Sequence, residues 1–490
     1  MKYGTMRVLY LALLLALVGC LPIPTVRLDL EVPPVEYRVP SELVKTKYIN
    51  RLGYAETHTP PQYNRALYLR YFLPRENADT VIILIPGIYG GATSLDLLAR
   101  ELVSALPKTE VWAFERRANL LEDRSRIAQS IRQNDPSIAY EYYIENYGKA
   151  DGFKPVDPAT LDFMRYWSLE VHLEDLHVVV ADARKRFDRV HLGGHSLGAS
   201  MAGYYAAYKI GSGSGQDFID SLLLIDGALG RTGGYEREPV GVNLGSIELL
   251  PGIESLEAGR GSPYVTFGLT PGFYAEGEVL ALLARFAPDE LTPEHFHSYP
   301  IINRAAFGVQ QDDNYSTVTI FGSSIGKAVD AELGGNVGAV IMGGRMGLGA
   351  QGVSGVAPGA RKVTWERGDE GLELTDIDDL ALSWATEETN RSEWYFPLRL
   401  ALDIGTHGVK LTDEPNFVAN ADVKTPTLAV GAERGLAGSP DDFQAYNNAR
   451  LGSLFSTYII PQQTHLDIVQ AENNPLVALM KIWLEALPTN

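Results

Sequence analysis

Gly194-His195-Ser196-Leu197-Gly198 sets a serine between two glycines in a G-x-S-x-G pattern. Residues 190–192 read as a strand leading into it, and Ala199, Ser200, Ala202 and Gly203 begin a small-residue helix leading out. A serine on a sharp strand-to-helix turn holds its hydroxyl clear of the chain, where an adjacent base can make it a nucleophile toward an acyl carbon. The flanking glycines let neighbouring backbone approach closely. The pattern recurs at Gly322-Ser323-Ser324-Ile325-Gly326, after a strand expected at 317–321, but Lys327 and Asp330 then make a poor sheet-packing helix. Ser196, not Ser324, is the candidate nucleophile.

The elements that must position Ser196 are short apolar runs alternating with helical patterns. Strands are expected at 66–73, 80–85, 110–114, 189–192, 222–226, 425–430 and 455–460, and helices at 161–187, 197–208, 441–451 and 475–487. That rhythm specifies an α/β fold, a mostly parallel sheet with helices on both faces. It stops over 227–422, which includes a glycine-rich stretch at 334–359. A structureless loop of that length is implausible, so 227–422 reads as an inserted cap or lid domain with its own secondary structure. The core then falls in two parts, 46–226 and 423–490, after a leader at 1–19 and a Pro- and Val-rich tether at 20–45. A shorter insertion, 123–160, carries Tyr140, Tyr142, Tyr143 and Tyr147, which either line a substrate entrance or form cap core.

With Ser196 in this setting, the chain resembles the α/β-hydrolases of the serine esterase and lipase type over roughly residues 60–226 and 423–490. The resemblance implies an oxyanion hole made by two backbone N–H groups, those of Leu197 and of Ile88 in Pro86-Gly87-Ile88-Tyr89-Gly90-Gly91. Many relatives have His where this chain has Pro86, so the side-chain support of that turn must differ. The general base is expected after the last strand, and His465 in Pro461-Gln462-Gln463-Thr464-His465-Leu466-Asp467 has the right chain order among the nine histidines. The triad acid is expected in Gly431-Ala432-Glu433-Arg434-Gly435, where relatives often carry Asp at the position of Arg434; Glu433 is the first choice. Asp226, at the end of the preceding strand, is the alternative, while Asp441 and Asp442 read better as helix caps after Pro440. His195 reads as packing, and His295, His297 and His407 as surface or cap-core residues. Glu115-Arg116-Arg117, at the sheet's carboxyl edge, is expected to hold a loop by ion pairing, with substrate carboxylate binding as the alternative.

Composition narrows the partners. The chain has 490 residues, 45% hydrophobic and 21% charged, with a formal charge of -19. An acidic surface repels phosphate and argues against nucleic acid. The one cysteine allows neither an internal disulfide nor a Cys/His zinc site. That cysteine, Cys20, follows Lys2, Arg7 and an apolar run at 8–18, and Leu17-Val18-Gly19-Cys20 resembles the bacterial lipobox. The resemblance implies cleavage before Cys20 and acylation, hence membrane attachment in the cell envelope; Leu21 in place of Asp favours the outer membrane in a Gram-negative cell. A secretory signal with a chance cysteine is the alternative. Asp312, Asp313, Asp376, Asp378 and Asp379 match no EF-hand spacing and read as helix starts and turns. The expected activity is carboxylic ester hydrolysis on a small-molecule or lipid ester, without cofactor or metal. A peptidase or amidase on the same fold and a non-catalytic surface protein are the alternatives.

Overall fold

Thr80–Ile85 (TVIILI) is buried at every position, and a strand apolar on both faces belongs in a sheet covered on both sides. In the computed structural model it pairs in parallel with Thr109–Glu115 on one side and Arg189–His195 on the other. The structure describes residues 32–229, 242–244, 247–265, 270–316, 322–334, 352–368, 373–412, 414–450 and 453–487. Cys20, the leader, the strand expected at 317–321 and most of the glycine-rich stretch lie outside these residues.

The sheet contains β1 (Lys45–Leu52), β2 (Arg65–Phe72), β3 (Thr80–Ile85), β4 (Thr109–Glu115), β5 (Arg189–His195), β6 (Ser221–Ile225), β7 (Thr427–Arg434) and β8 (Phe455–Thr464). Their order is β1-β2-β4-β3-β5-β6-β7-β8. Only β2 runs against the others, pairing antiparallel with both β1 and β4. This is the strand order of the α/β-hydrolase fold. β1 is an addition to the expected elements. Its sequence, KTKYINRL, is exposed at most positions, and its lysines suit an unpaired sheet edge. The chain ahead of it already lies on the body: Arg38 N donates to Ser104 O at 2.9 Å, and Val32 and Val35 pack on the core.

Side chains alternate between the two faces of each strand. Ile82, Leu84, Val111, Leu223 and Leu428 meet α1 (Asp96–Ala105) and the C-terminal helix Pro475–Ala486 on one face. Val81, Ile83, Ile85, Leu192 and Leu224 meet α2 (Leu169–Arg184) and α3 (Leu197–Ala207) on the other. Helix α3 (LGASMAGYYAA) is apolar all round and almost wholly buried, as such a helix must be. The helix expected over 161–187 is broken. A 3-10 segment, Pro158–Tyr166, precedes α2, and the Ser168 side chain caps α2 by accepting from Val171 N.

Between β6 and β7 the chain forms the helices Pro271–Phe286, Asn303–Gln311, Ile377–Ser383 and Leu398–Thr406, along with short ribbons. Leu280, Phe307, Leu380 and Trp394 from this stretch share a core with Tyr143, Phe153, Met164 and Trp167 from the shorter insertion and its exit. The tyrosines of the shorter insertion therefore divide. Tyr143 is buried against Phe153 and Trp394, Tyr142 donates to Asp123, and Tyr147 is exposed.

Candidate active site

Parallel register brings the candidate residues to one edge of the sheet. His195 pairs with Ile225, so the residues that follow them, Ser196 and Asp226, leave adjacent strands side by side at their carboxyl ends. His465 leaves β8 directly after Thr464, which pairs with Arg434. The carboxyl edge is where open α/β sheets bind ligands.

Ser196 sits at φ 58°, ψ -124°, between β5 and α3. A non-glycine residue there costs about 1–3 kcal/mol and persists only where its surroundings enforce it. Here Ser196 N donates to Ile225 O at 2.9 Å, and Ala199 N donates to Ser196 O at 3.0 Å. The glycine after it is required by contact, since a Cβ on Gly198 would lie 2.1 Å from Ile85 O.

His465 is buried, and its Nδ1 lies 2.5 Å from Asp226 Oδ2. Asp226 is fully buried and itself held at φ 43°. Its Oδ1 accepts from Ala432 N (3.0 Å) and Ala437 N (2.9 Å), and its Oδ2 accepts from Leu436 N (2.9 Å). Burial works to raise its pKa, but the hydrogen bond and charge of His465, with the amides, outweigh burial and hold it below the usual range. A Cβ on Gly435 would come within 2.2 Å of Oδ2, so glycine there leaves room for the carboxylate.

Glu433, the first-choice acid, is exposed, and its carboxylate accepts from Gln462 N at 2.9 Å instead of meeting His465. The loop expected to carry the acid contributes amide donors to Asp226, and it is Asp226, the alternative, whose carboxylate meets His465. Asp442 accepts from Ser439 N and Oγ at the start of its 3-10 turn. His195 packs: Nε2 donates to His465 O at 2.8 Å, the two rings lie 4.3 Å apart, and burial lowers its pKa to about 3. His295 is near Glu276, His297 contacts Tyr299, and His407 bonds Glu414.

The turn after β3 runs beside the serine. A Cβ placed on Gly87 would lie 3.0 Å from Ser196 Cβ and 3.5 Å from its Oγ. The N–H groups of Ile88 and Leu197 donate to no acceptor among the described residues. Arg116 supports the turn where Pro86 offers no side-chain donor. Fully buried, it donates to Pro86 O (3.1 Å), Gly87 O (2.8 Å) and Gly90 O (2.7 Å), and pairs with Glu393 at 2.6 Å. The expectation that this charged cluster holds a loop is met by Arg116, while Arg117 pairs with Asp175. From the insertion, Arg391 O accepts from Gly91 N (2.7 Å), and Glu393 N donates to Tyr89 O (2.8 Å). No motif in the sequence marks residues 389–394 as the brace of this turn.

Ser324 is also at this edge, but as a structural contact. Its hydroxyl donates to Asp467 Oδ2 at 2.8 Å and its amide to Oδ1 at 2.8 Å, tying the insertion to the loop that carries His465. Asp376 caps the helix Ile377–Ser383 by accepting from Asp378 N and Asp379 N. Among the described residues no group of three or more His, Cys, Asp or Glu could hold a metal ion.

No family model and no curated protein matches the chain. Similar solved structures include a monoglyceride lipase from Saccharomyces cerevisiae at 11% identity and TM-score 0.39, covering 94% of this chain and 99% of that one. An epoxide hydrolase A from Mycobacterium thermoresistibile gives 12%, 0.41, 91% and 100%. A thermophilic esterase from Thermogutta terrifontis gives 13%, 0.34, 90% and 100%. At these scores the fold rests on the strand order and the chemistry on the site itself.

Proposed function

We propose that the protein is a serine hydrolase of carboxylic esters, working through an acyl-enzyme on Ser196. The observation that carries this reading is the buried Asp226–His465 pair at the strained Ser196 turn. With Nδ1–H directed to Asp226, His465 keeps Nε2 free of a proton and able to accept the one on Ser196 Oγ. The oxygen then attacks the acyl carbon, and the carbonyl electron pair moves onto the oxyanion, which the Ile88 and Leu197 N–H groups receive. His465 returns the proton to the departing alkoxide, leaving an ester on Ser196 and a free alcohol. Water repeats the sequence with the same base, releasing the acid and restoring the serine. Asp226 holds the tautomer and stabilises the imidazolium in both halves. Each fixed oxyanion donor is typically worth about 10²–10³ in rate.

The same proposal sets the protein in the cell envelope, anchored by acylation of Cys20 and in the outer membrane if the cell is Gram-negative. Support comes from Leu17-Val18-Gly19-Cys20. Such an anchor would bring the site to lipid or small-molecule esters near a membrane. Ester turnover across a panel of acyl chain lengths, with Ser196→Ala as control, tests the reading. Turnover should vanish in that variant while its circular dichroism and melting stay those of the parent; unchanged turnover would refute it.

A further inference from the structure

Three buried arginines near the site each face a carboxylate: Arg116 with Glu393, Arg117 with Asp175 and Arg124 with Glu278. Arg391 is different. It is 7% exposed, and among the described residues no carboxylate pairs with it. Its guanidinium lies over the Trp384 ring, 4.8 Å from the centroid. Its neighbour is neutral: the Gln470 amide, turned so that its nitrogen donates to Ser323 Oγ at 2.6 Å, accepts from Arg391 Nη1 at 2.7 Å and from Nη2. Nε has no acceptor among the described residues, yet it is not sealed in as Arg124 Nε is.

The position of this cation matters as much as its isolation. Its main chain accepts from Gly91 beside the Ile88 turn, and Gln470 ends the short helix Asp467–Gln470 that follows His465. Arg391 thus spans the two loops that flank Ser196, close enough for its charge to act against protonation of His195. A desolvated guanidinium without a counter-charge is costly to maintain. A bound anion would offset that cost, and the guanidinium fork fits a carboxylate or phosphate.

We propose that Arg391 binds an anionic group of the substrate, so that the preferred ester carries a carboxylate or phosphate near its scissile acyl carbon. This rests on Ser196 being the nucleophile. The chain's net charge of -19 repels free anions, so any preference for them at Ser196 requires a local cation.

The test uses three fluorophosphonates of equal chain length, ending in a methyl, a carboxylate or a phosphate group. Each is reacted with the full chain in detergent, and the rate of adduct formation at Ser196 is followed by mass spectrometry. At least one anionic probe should react ten or more times faster than the methyl probe, and the faster anionic arm identifies the anion. That ratio should fall to near one in Arg391→Gln and stay partly raised in Arg391→Lys. A ratio near one in the parent overturns the proposal, even if no variant folds. So does a proportional loss on all three probes in Arg391→Gln, which would make Arg391 only a tie between loops. Absence of adduct with every probe on folded protein would overturn the serine-hydrolase reading as well, and so separates the two failures.

Discussion

Exchanging Asp226 for Asn tests the geometry at its most specific point. The carboxylate receives three amide N–H groups and His465 Nδ1–H. An asparagine offers one oxygen and one NH2, so whichever way it turns, a donor meets a donor. With the oxygen on the Ala432 and Ala437 amides, the NH2 faces Leu436 N–H and His465. The ring must then accept at Nδ1 and carry its proton on Nε2, where it cannot take the proton of Ser196. Comparable tautomer reversal costs about 10⁴ in kcat. The unpaired amide should cost about 1–3 kcal/mol of stability. Steady-state ester hydrolysis with thermal melting reads both terms, and Glu433→Gln, at an exposed position, should stay within about twofold of the parent. A larger loss of kcat in Glu433→Gln than in Asp226→Asn would show that Asp226 does not orient His465.

Arg116→Lys should lower kcat by about 10²-fold with KM little changed, because one ammonium cannot reach three carbonyls and Glu393 while holding Ile88 N–H in place; a change confined to KM would argue for substrate binding instead. Ser324→Ala should keep ester turnover near the parent's and lower stability by about 1.5–3 kcal/mol, the worth of a buried bond to the Asp467 carboxylate, as read by denaturant melts. Glu115 is pushed up to about 7, first by burial, so folding favours its protonated form between the ordinary 4.5 and 7. Its contribution is therefore fully present below pH 4.5 and lost as pH rises through 7, by an amount on the order of 3 kcal/mol at most. Melting temperatures measured across that window should fall less steeply in Glu115→Gln than in the parent, and identical slopes would contradict this origin.

The parts of the molecule that could be read from sequence are those where burial dictates residue type. β3 and α3 are apolar almost throughout, and β5 is buried from Val190 onward, because both sides are covered; together they anchor the Ser196 turn. β1 is not legible in the sequence because an edge strand with lysines has neither alternation nor a continuous apolar run. The break before α2 was marked only by Ser168, a cap inside an otherwise continuous helical pattern. Loop position favours Glu433 over Asp226, a rule blind to what the loop backbone does. The small residues Ala432, Gly435 and Ala437 were the available clue, since a loop that folds its amides around a carboxylate needs room for it. Arg116 could be anticipated as a loop holder from its place after β4. Glu393, Arg391 and Gln470 could not, because their partners are more than 70 residues away in sequence and no motif links them.

Whether Ser196 is the nucleophile is decided by mapping a neutral alkyl fluorophosphonate on the full chain by peptide mass spectrometry, with Ser196→Ala and Ser324→Ala alongside. One adduct is expected, on the peptide containing Ser196, retained in Ser324→Ala and absent from Ser196→Ala. A folded protein that takes no adduct, or takes it at Ser324, would contradict that role for Ser196.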